Sequence, residues 1–204
     1  KYTKAGALVT SRSVTGDAPT DKSQINGLFF KDGVLFVSAA KAASGVLTSW
    51  IAQYDPDTLA YISHTQISTT RFSEGIAYRG GYWWVVFHGH KVCCQYDASF
   101  NLIAAHTLTY GVTGDASGYG IEAGYDGIAW VGDYLLCNIH EIYSPKCIDI
   151  YYWDGTKFEN VNRISLPTTT CTQGLSVDPV EPGVVWFVER NYSGTDAIVK
   201  ATLA

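Results

Sequence analysis

Residues 73–87 read SEGIAYRGGYWWVVF, and this stretch indicates the fold. A polar residue and a glycine open a short strand, two glycines turn the chain, and a very apolar strand follows. Short apolar runs between glycine-rich turns are typical of β-strands, and adjacent glycines supply the positive φ of a tight hairpin. The stretch therefore predicts an antiparallel hairpin whose second strand, 82–87, is buried.

The same phrase recurs four times along the chain. Each copy opens with an oxygen-bearing polar residue followed by glycine, and the four pairs are Asn26-Gly27, Glu74-Gly75, Asp126-Gly127 and Gln173-Gly174. Successive glycines are about 50 residues apart, which is near the repeat length of a propeller blade. The repeat therefore predicts four blades around a central channel, with the phrase at the start of each inner strand.

The second half of each repeat predicts a third and a fourth strand. Repeat four ends after a third strand at 197–202, whereas the segment 7–14 resembles the fourth strands of the other repeats. We predict one all-β domain, a four-bladed β-propeller with four antiparallel strands per blade, its ring closed by the N-terminal strand, because closure removes open sheet edges. The predicted blades cover about 24–67, 72–108, 125–166, and 171–204 plus 7–14. Matching phrases at 14–18 and 112–116 predict a pseudo-twofold duplication.

Two of these phrases resemble a known family. Ser73-Glu74-Gly75-Ile76 and Thr172-Gln173-Gly174-Leu175 are similar to the inner-strand starts of glutamine-cyclotransferase-type and gluconolactonase-like propellers. Those families have five or six blades, whereas this chain has four repeats. The resemblance implies a propeller fold, but a shared fold does not carry an activity with it.

Composition excludes several classes of function. Charged residues make up 16% of the 204 residues, the net charge is −5, and no basic run could follow a phosphate backbone. We therefore expect no nucleic-acid partner, and apolar runs of strand length predict no membrane insertion. The chain starts at Lys1, contains no Met and shows no signal peptide, which predicts processing or excision from a longer polypeptide. Five cysteines without metal spacing are expected to be buried thiols without a disulfide, which favours folding in a reducing compartment.

The four polar residues of the repeat form a candidate ring around the channel: Asn26, Glu74, Asp126 and Gln173. Two carboxylates and two amide carbonyls suit a hard cation such as Ca²⁺, which prefers oxygen ligands. The alternative is that each side chain caps a strand start or holds channel water, with no cofactor required.

Histidines and loop tyrosines mark a candidate binding face. His88 and His140 follow the second strands of blades two and three, and Glu141 and Arg190 lie at or beside the equivalent positions. Tyrosines in Gly- and Ser-rich loops offer rigid contact surface at low entropic cost. The candidates in predicted loops are Tyr110, Tyr119, Tyr125, Tyr143 and Tyr192. The opposite face consists of tight turns and is expected to offer little concave surface.

Two functions remain open at this point. No nucleophile elbow, phosphate loop or HExxH motif is present, so we predict a binding module for a glycan or a protein receptor, as a domain of a larger adhesin or phage-tail-like protein. The alternative is a small metal-dependent hydrolase or lyase that uses the channel carboxylates with His88 or His140.

Overall fold

A computed structural model describes residues 11, 24–44, 46–108, 124–139, 147–166, 171–178, 180–181, 183–190 and 197–202. These residues form fifteen strands and no helix. Blade 1 contains β1 (Gln24–Lys31), β2 (Val34–Ala43), β3 (Val46–Tyr54) and β4 (Tyr61–Ser68). Blade 2 contains β5 (Ser73–Arg79), β6 (Tyr82–Phe87), β7 (Val92–Tyr96) and β8 (Leu102–Thr107). Blade 3 contains β9 (Tyr125–Val131), β10 (Tyr134–Ile139), β11 (Cys147–Trp153) and β12 (Phe158–Ser165). Blade 4 contains β13 (Cys171–Val177), β14 (Val184–Arg190) and β15 (Ala197–Thr202).

The strands of each blade pair in chain order as an antiparallel meander. The turns are as tight as the sequence predicts: Gly80 and Gly81 take φ values of 62° and 88° between β5 and β6, a region that glycine enters without steric cost. The four sheets form the predicted four-bladed propeller, with three strands of blade 4 among the described residues. The predicted closing strand, 7–14, lies almost entirely outside the described residues. No helix of the described chain is long and apolar enough to cross a membrane.

The core lies between neighbouring blades. Trp83 of blade 2 stacks on Phe100 at 5.2 Å and meets Phe36 of blade 1 at 4.3 Å between ring centroids. Trp84, on the opposite face of the same strand, contacts Trp130 and Trp153 of blade 3. Aliphatic side chains fill the contact between blades 3 and 4, including Leu136, Ile148, Val185 and Phe187. Adjacent residues of β6 thus face different blades, because side chains alternate along a strand.

Candidate functional site

The polar residue and the glycine of each repeat form a β-bulge in the inner strand. Asn26 of β1 and Asp126 of β9 are extra residues with no partner in the strand ladder; the flanking pairs are Ile25–Ala39 and Gly27–Ser38, and Tyr125–Ile139 and Gly127–Asn138. In β5, the ladder is interrupted between Ser73 and Ile76, which brackets Glu74. A bulge bends the strand and changes the direction of a side chain, and bulges are frequent beside active sites.

The repeat glycines bring the inner strands into close contact. A Cβ on Gly27 would lie 2.6 Å from the carbonyl oxygen of Glu74, and one on Gly75 would lie 2.8 Å from the amide nitrogen of Ile128. A Cβ on Gly127 would likewise lie 2.6 Å from the amide nitrogen of Leu175. These contacts involve backbone atoms that cannot move aside, so the inner strands require glycine here.

A cavity of about 270 Å³ lies among the inner strands. Its polar side chains include Asn26 and Asp126, and its walls include the backbone of the four repeat glycines. The aliphatic residues that follow these glycines also line it, namely Leu28, Ile76, Ile128 and Leu175. The cavity extends beside blade 4, where Trp186 and Ile198 reach it. It therefore combines an apolar wall with oxygen-bearing groups, as small-molecule sites do.

A buried carboxylate lies at the start of the inner strand of blade 2. Glu74 is 6% exposed, and its Oε1 lies 3.5 Å from Nδ1 of His88, whose side chain is 37% exposed. The His88 backbone N–H donates to the carbonyl oxygen of Phe72 at 2.8 Å, which fixes the residue beside the strand start. Antiparallel pairing of β5 and β6 places residues 74 and 88 at the same end of the hairpin. The repeat phrase in the sequence already predicts this hairpin.

A second histidine and an arginine lie close to this pair. Burial, and then the charges of Arg71 and His88, lower the pKa of His90. Arg71 donates to Sγ of Cys94 at 3.2 Å and lies over the ring of Phe87. His90 is therefore stabilised in its neutral form, whereas His88 is the histidine that faces the Glu74 carboxylate. A carboxylate and an imidazole within reach of each other can take up and return a proton during a reaction.

A family model described as glutamine cyclotransferase matches residues 2–126, more than half of the chain. The chain belongs to the glutamine cyclotransferase family. The matched segment contains Asn26, Glu74 and Asp126, together with His88. Family membership confirms the resemblance seen in the repeat phrases. No curated protein sequence matches the chain closely enough to count as a relative.

Solved structures agree with the family at the level of the fold. Glutaminyl cyclase from Myxococcus xanthus matches with a TM-score of 0.54 and 13% identity, over 89% of this chain and 92% of that one. A protein of unknown function from Bacteroides caccae matches with a TM-score of 0.59 and 12% identity, over 98% of this chain and 69% of that one. The calcium-binding protein regucalcin from Agrobacterium tumefaciens matches with a TM-score of 0.54 and 13% identity, over 87% and 57% of the two chains.

The candidate ring is only partly described. Asn26 donates from Nδ2 to the carbonyl oxygen of Ser73 in the next blade at 2.7 Å, a cap on a neighbouring strand start. Glu74 faces His88, Asp126 lines the cavity, and the side chain of Gln173 lies outside the described residues. No group of three or more His, Cys, Asp or Glu residues in the described part could hold a metal. A calcium ion at the ring stays a prediction.

Tyr125 is a core residue, so its predicted position in a binding loop was wrong. It begins β9, is fully buried, and donates from its hydroxyl to Oδ2 of Asp149 at 2.8 Å. Its hydroxyl oxygen also lies 2.6 Å from that of Tyr151. Asp149 in turn accepts from Nε of Arg163 at 2.6 Å. The glycine-rich composition upstream of Tyr125 does not reveal that the strand starts at this residue and that its hydroxyl has a buried acceptor.

The other predicted binding residues cannot be placed. Tyr110, Tyr119, Tyr143, Tyr192, His140 and Glu141 lie outside the described residues, as does the side chain of Arg190, whose backbone ends β14. The structure describes the side chains of four of the five cysteines predicted to be buried thiols. They are buried and free, and they are Cys93, Cys94, Cys137 and Cys147. Burial raises the pKa of Cys147 to about 12, so its thiol is a packing group rather than a nucleophile.

The opposite, turn-bearing face contradicts one prediction. A cavity of about 610 Å³ lies there, bounded by turn residues including Gly80 and Gly155. The expectation that this face offers little concave surface was wrong. Each turn taken alone is tight and offers no recess, whereas the cavity lies between the turns of two neighbouring blades.

Proposed function

We propose that this chain is an enzyme that cyclises N-terminal glutaminyl residues, with Glu74 as its proton-transfer group. One observation carries the proposal: a nine-tenths buried carboxylate lies beside a histidine at a bulge of the inner strand, within the segment matched by the family model.

Cyclisation of glutamine is an intramolecular acyl transfer. The α-amino nitrogen attacks the carbon of the side-chain amide, a C–N bond forms, and a tetrahedral intermediate results. The bond to the amide nitrogen then breaks and ammonia leaves. Because both reacting groups belong to one residue, the enzyme has to hold them in a reactive geometry and move a proton from the attacking to the leaving nitrogen.

Glu74 is suited to that proton transfer. Its carboxylate takes the proton that the attacking amine loses and returns it to the nitrogen that departs as ammonia. Burial limits competition from water for these hydrogen bonds. In this proposal His88, 3.5 Å from the carboxylate and partly exposed, orients the carboxylate.

The central cavity supports binding of one small residue. Its volume of about 270 Å³ is near the lower end of the range for small-molecule sites, roughly 300–1,000 Å³. The carboxylate of Asp126 and the amide of Asn26 line the cavity as polar contacts for the substrate, while Ile76 and Ile128 contact its aliphatic carbons. This division of polar and apolar groups matches a glutaminyl side chain.

The proposal is tested by incubating the purified chain with the peptide Gln-Ala-Phe-amide. We expect release of ammonia together with loss of one ammonia from the peptide mass. Glu74→Gln preserves size and should reduce the rate at least about a hundredfold, the smaller end of general acid–base contributions. Glu159→Gln is the matched control, since that carboxylate is about half exposed and pairs with Lys157. An inactive wild-type chain, or a fully active Glu74→Gln variant, would contradict the proposal.

Receptor binding is the second candidate, and one observation favours it. Large apolar side chains remain exposed beside the central cavity, with Leu28 at 62% and Ile198 at 75%. Exposed apolar patches commonly mark recognition surfaces. Saturable binding of a glycan or protein at this side, without ammonia release from any glutaminyl peptide, would favour the binding module over the enzyme.

A further inference from the structure

A groove of about 610 Å³ separates blades 2 and 3 on the turn-bearing face, away from the channel mouth. We call it the turn-face groove; its aromatic residues are Tyr82, Trp84, Tyr152 and Trp153, and its charged residues are Arg79, Asp133 and Asp154. Its volume lies within the range of small-molecule sites, about 300–1,000 Å³. The two sites share no lining residue.

Aromatic rings held by packing form the apolar part of the groove. Trp84 is 2% exposed, and its ring meets that of Trp153 edge-on at 5.2 Å between centroids. Its indole N–H donates to the carbonyl oxygen of Arg79 at 3.3 Å, which fixes the ring. Tyr82 is 40% exposed and offers its ring to a ligand. Rings that are fixed before binding lose little conformational freedom when a ligand packs on them.

The polar groups of the groove are also held in place. Arg79 forms an ion pair with Asp133 across the two blades and lies 4.5 Å from the ring centroid of Trp130. The carbonyl oxygen of Asp133 accepts from the backbone N–H of Trp153 at 2.9 Å. Gln95 is hydrogen-bonded to Nε2 of His106 at 3.1 Å. The groove therefore presents guanidinium and phenol donors and carboxylate and amide acceptors from a rigid frame.

The groove carries charges of both signs, and its two carboxylates disfavour an anionic ligand. Two carboxylates and one guanidinium line it, and Asp133 is paired with Arg79. Backbone hydrogen bonds from Lys157 and Thr156 lower the pKa of Asp154, so this carboxylate is ionised at neutral pH. An anionic ligand would meet the carboxylates, and a cationic one would meet Arg79.

We propose that the turn-face groove binds a short neutral saccharide. The C–H face of a sugar ring packs on Tyr82 or Tyr152, in contact with rings that would otherwise face water. Sugar hydroxyl groups donate to Asp133 and Asp154 and accept from Arg79. A saccharide is the ligand class that offers an apolar ring face and both kinds of hydrogen-bonding group without charge.

The experiment titrates the full chain with cellobiose, maltose, lactose and N,N′-diacetylchitobiose, with tetramethylammonium as the cationic comparison. Binding is followed by tryptophan fluorescence and by shifts of the indole N–H signals in NMR spectra. We expect saturable binding of at least one disaccharide, with shifts at Trp84 and Trp153. The dispersion of the indole N–H signals also shows whether each variant is folded.

Tyr82→Ala and Tyr152→Ala should each weaken binding about tenfold, as expected when an aromatic contact is lost. Phe30→Ala is the control for Tyr82→Ala: its ring is 61% exposed on blade 1 and does not line the groove. Asp154→Asn keeps the turn acceptor and should weaken saccharide binding by less than about tenfold. Failure of all four disaccharides to bind, saturation by tetramethylammonium alone, or equal losses in Phe30→Ala and Tyr82→Ala would overturn the proposal.

Discussion

Large aromatic rings pack between blades 2 and 3 next to the turn-face groove, whereas blades 1 and 4 leave large apolar side chains exposed among the described residues. Between blades 2 and 3, Trp84 meets Trp130 at 5.3 Å and Phe158 at 5.6 Å between ring centroids. On the other side, Phe30 is 61% exposed and Ile198 is 75% exposed. The same repeat thus buries large aromatic rings at one contact between blades and leaves large apolar side chains exposed in other blades.

The repeat glycines also differ between blades, in how closely a neighbouring strand approaches them. Gly75 approaches the backbone of blade 3 so closely that a Cβ would lie 2.8 Å from the Ile128 nitrogen. Among the described residues, no atom beyond the chain neighbours of Gly174 lies within 4 Å of its Cβ position, and its φ of 63° is a left-handed conformation. One glycine is therefore required by a neighbouring strand and the other by its own backbone.

Removing the largest ring should have the largest effect on this comparison. Trp84→Ala is expected to lower the free energy of unfolding by about 3–5 kcal/mol, because a fully buried aromatic side chain leaves a cavity. Urea unfolding followed by circular dichroism measures the change. Trp186→Ala, on the cavity side of blade 4, should cost less than half as much, since Trp186 is only partly buried. Equal losses would mean that the two sides are packed alike.

Adding one methyl group should separate the two glycines. Gly75→Ala is expected to lower the free energy of unfolding by about 3 kcal/mol, at the upper end for overpacking, because only backbone atoms surround the new methyl group. Gly174→Ala should cost about 1–2 kcal/mol from left-handed backbone strain alone. Thermal and urea unfolding of both variants provide the comparison. A larger loss for Gly174→Ala would contradict the described geometry.

Lowering the pH should destabilise the contact between blades 2 and 3, by less than the substitutions above. His106 packs against Trp153 at 4.7 Å between ring centroids, and burial lowers its pKa. The unfolded chain, with a histidine pKa of about 6.5, then binds the proton more strongly than the folded chain. Stability should therefore fall as the pH drops through about 6.5 towards the folded pKa, and should not change for this reason at higher pH.

Urea unfolding at about pH 7.5 and pH 5 measures this effect. His106→Gln removes the titrating group and should reduce the fall in stability between the two values. Ile198→Thr, at an exposed position without a titrating group, should keep the fall seen in the wild-type chain. An unchanged fall in His106→Gln would assign the pH dependence to other groups.

The four-bladed architecture was predictable because each of the four repeats contains the sequence pattern of one blade. Each polar–glycine pair marks an inner strand start, and the chain repeats this mark at a blade-like interval. Asn26 and Asp126, which line the central cavity, could be placed at the inner strands for that reason. Contacts between elements far apart in sequence were not predictable in the same way. The buried acceptor of Tyr125 is Asp149 on β11, and the turn-face groove results from the separation of two blades whose turns are individually ordinary.

The bulges of the inner strands have a consequence for how such a channel can change over evolution. Asn26 and Asp126 have no partner in the strand ladder, so replacing either side chain leaves the backbone pairing of its blade intact. The adjacent glycines carry the steric constraint of the contact between strands. Polar side chains that line the cavity and glycines that the contact between strands requires are thus different members of one dipeptide. Mutation can explore new chemistry at the first position while selection holds the second fixed.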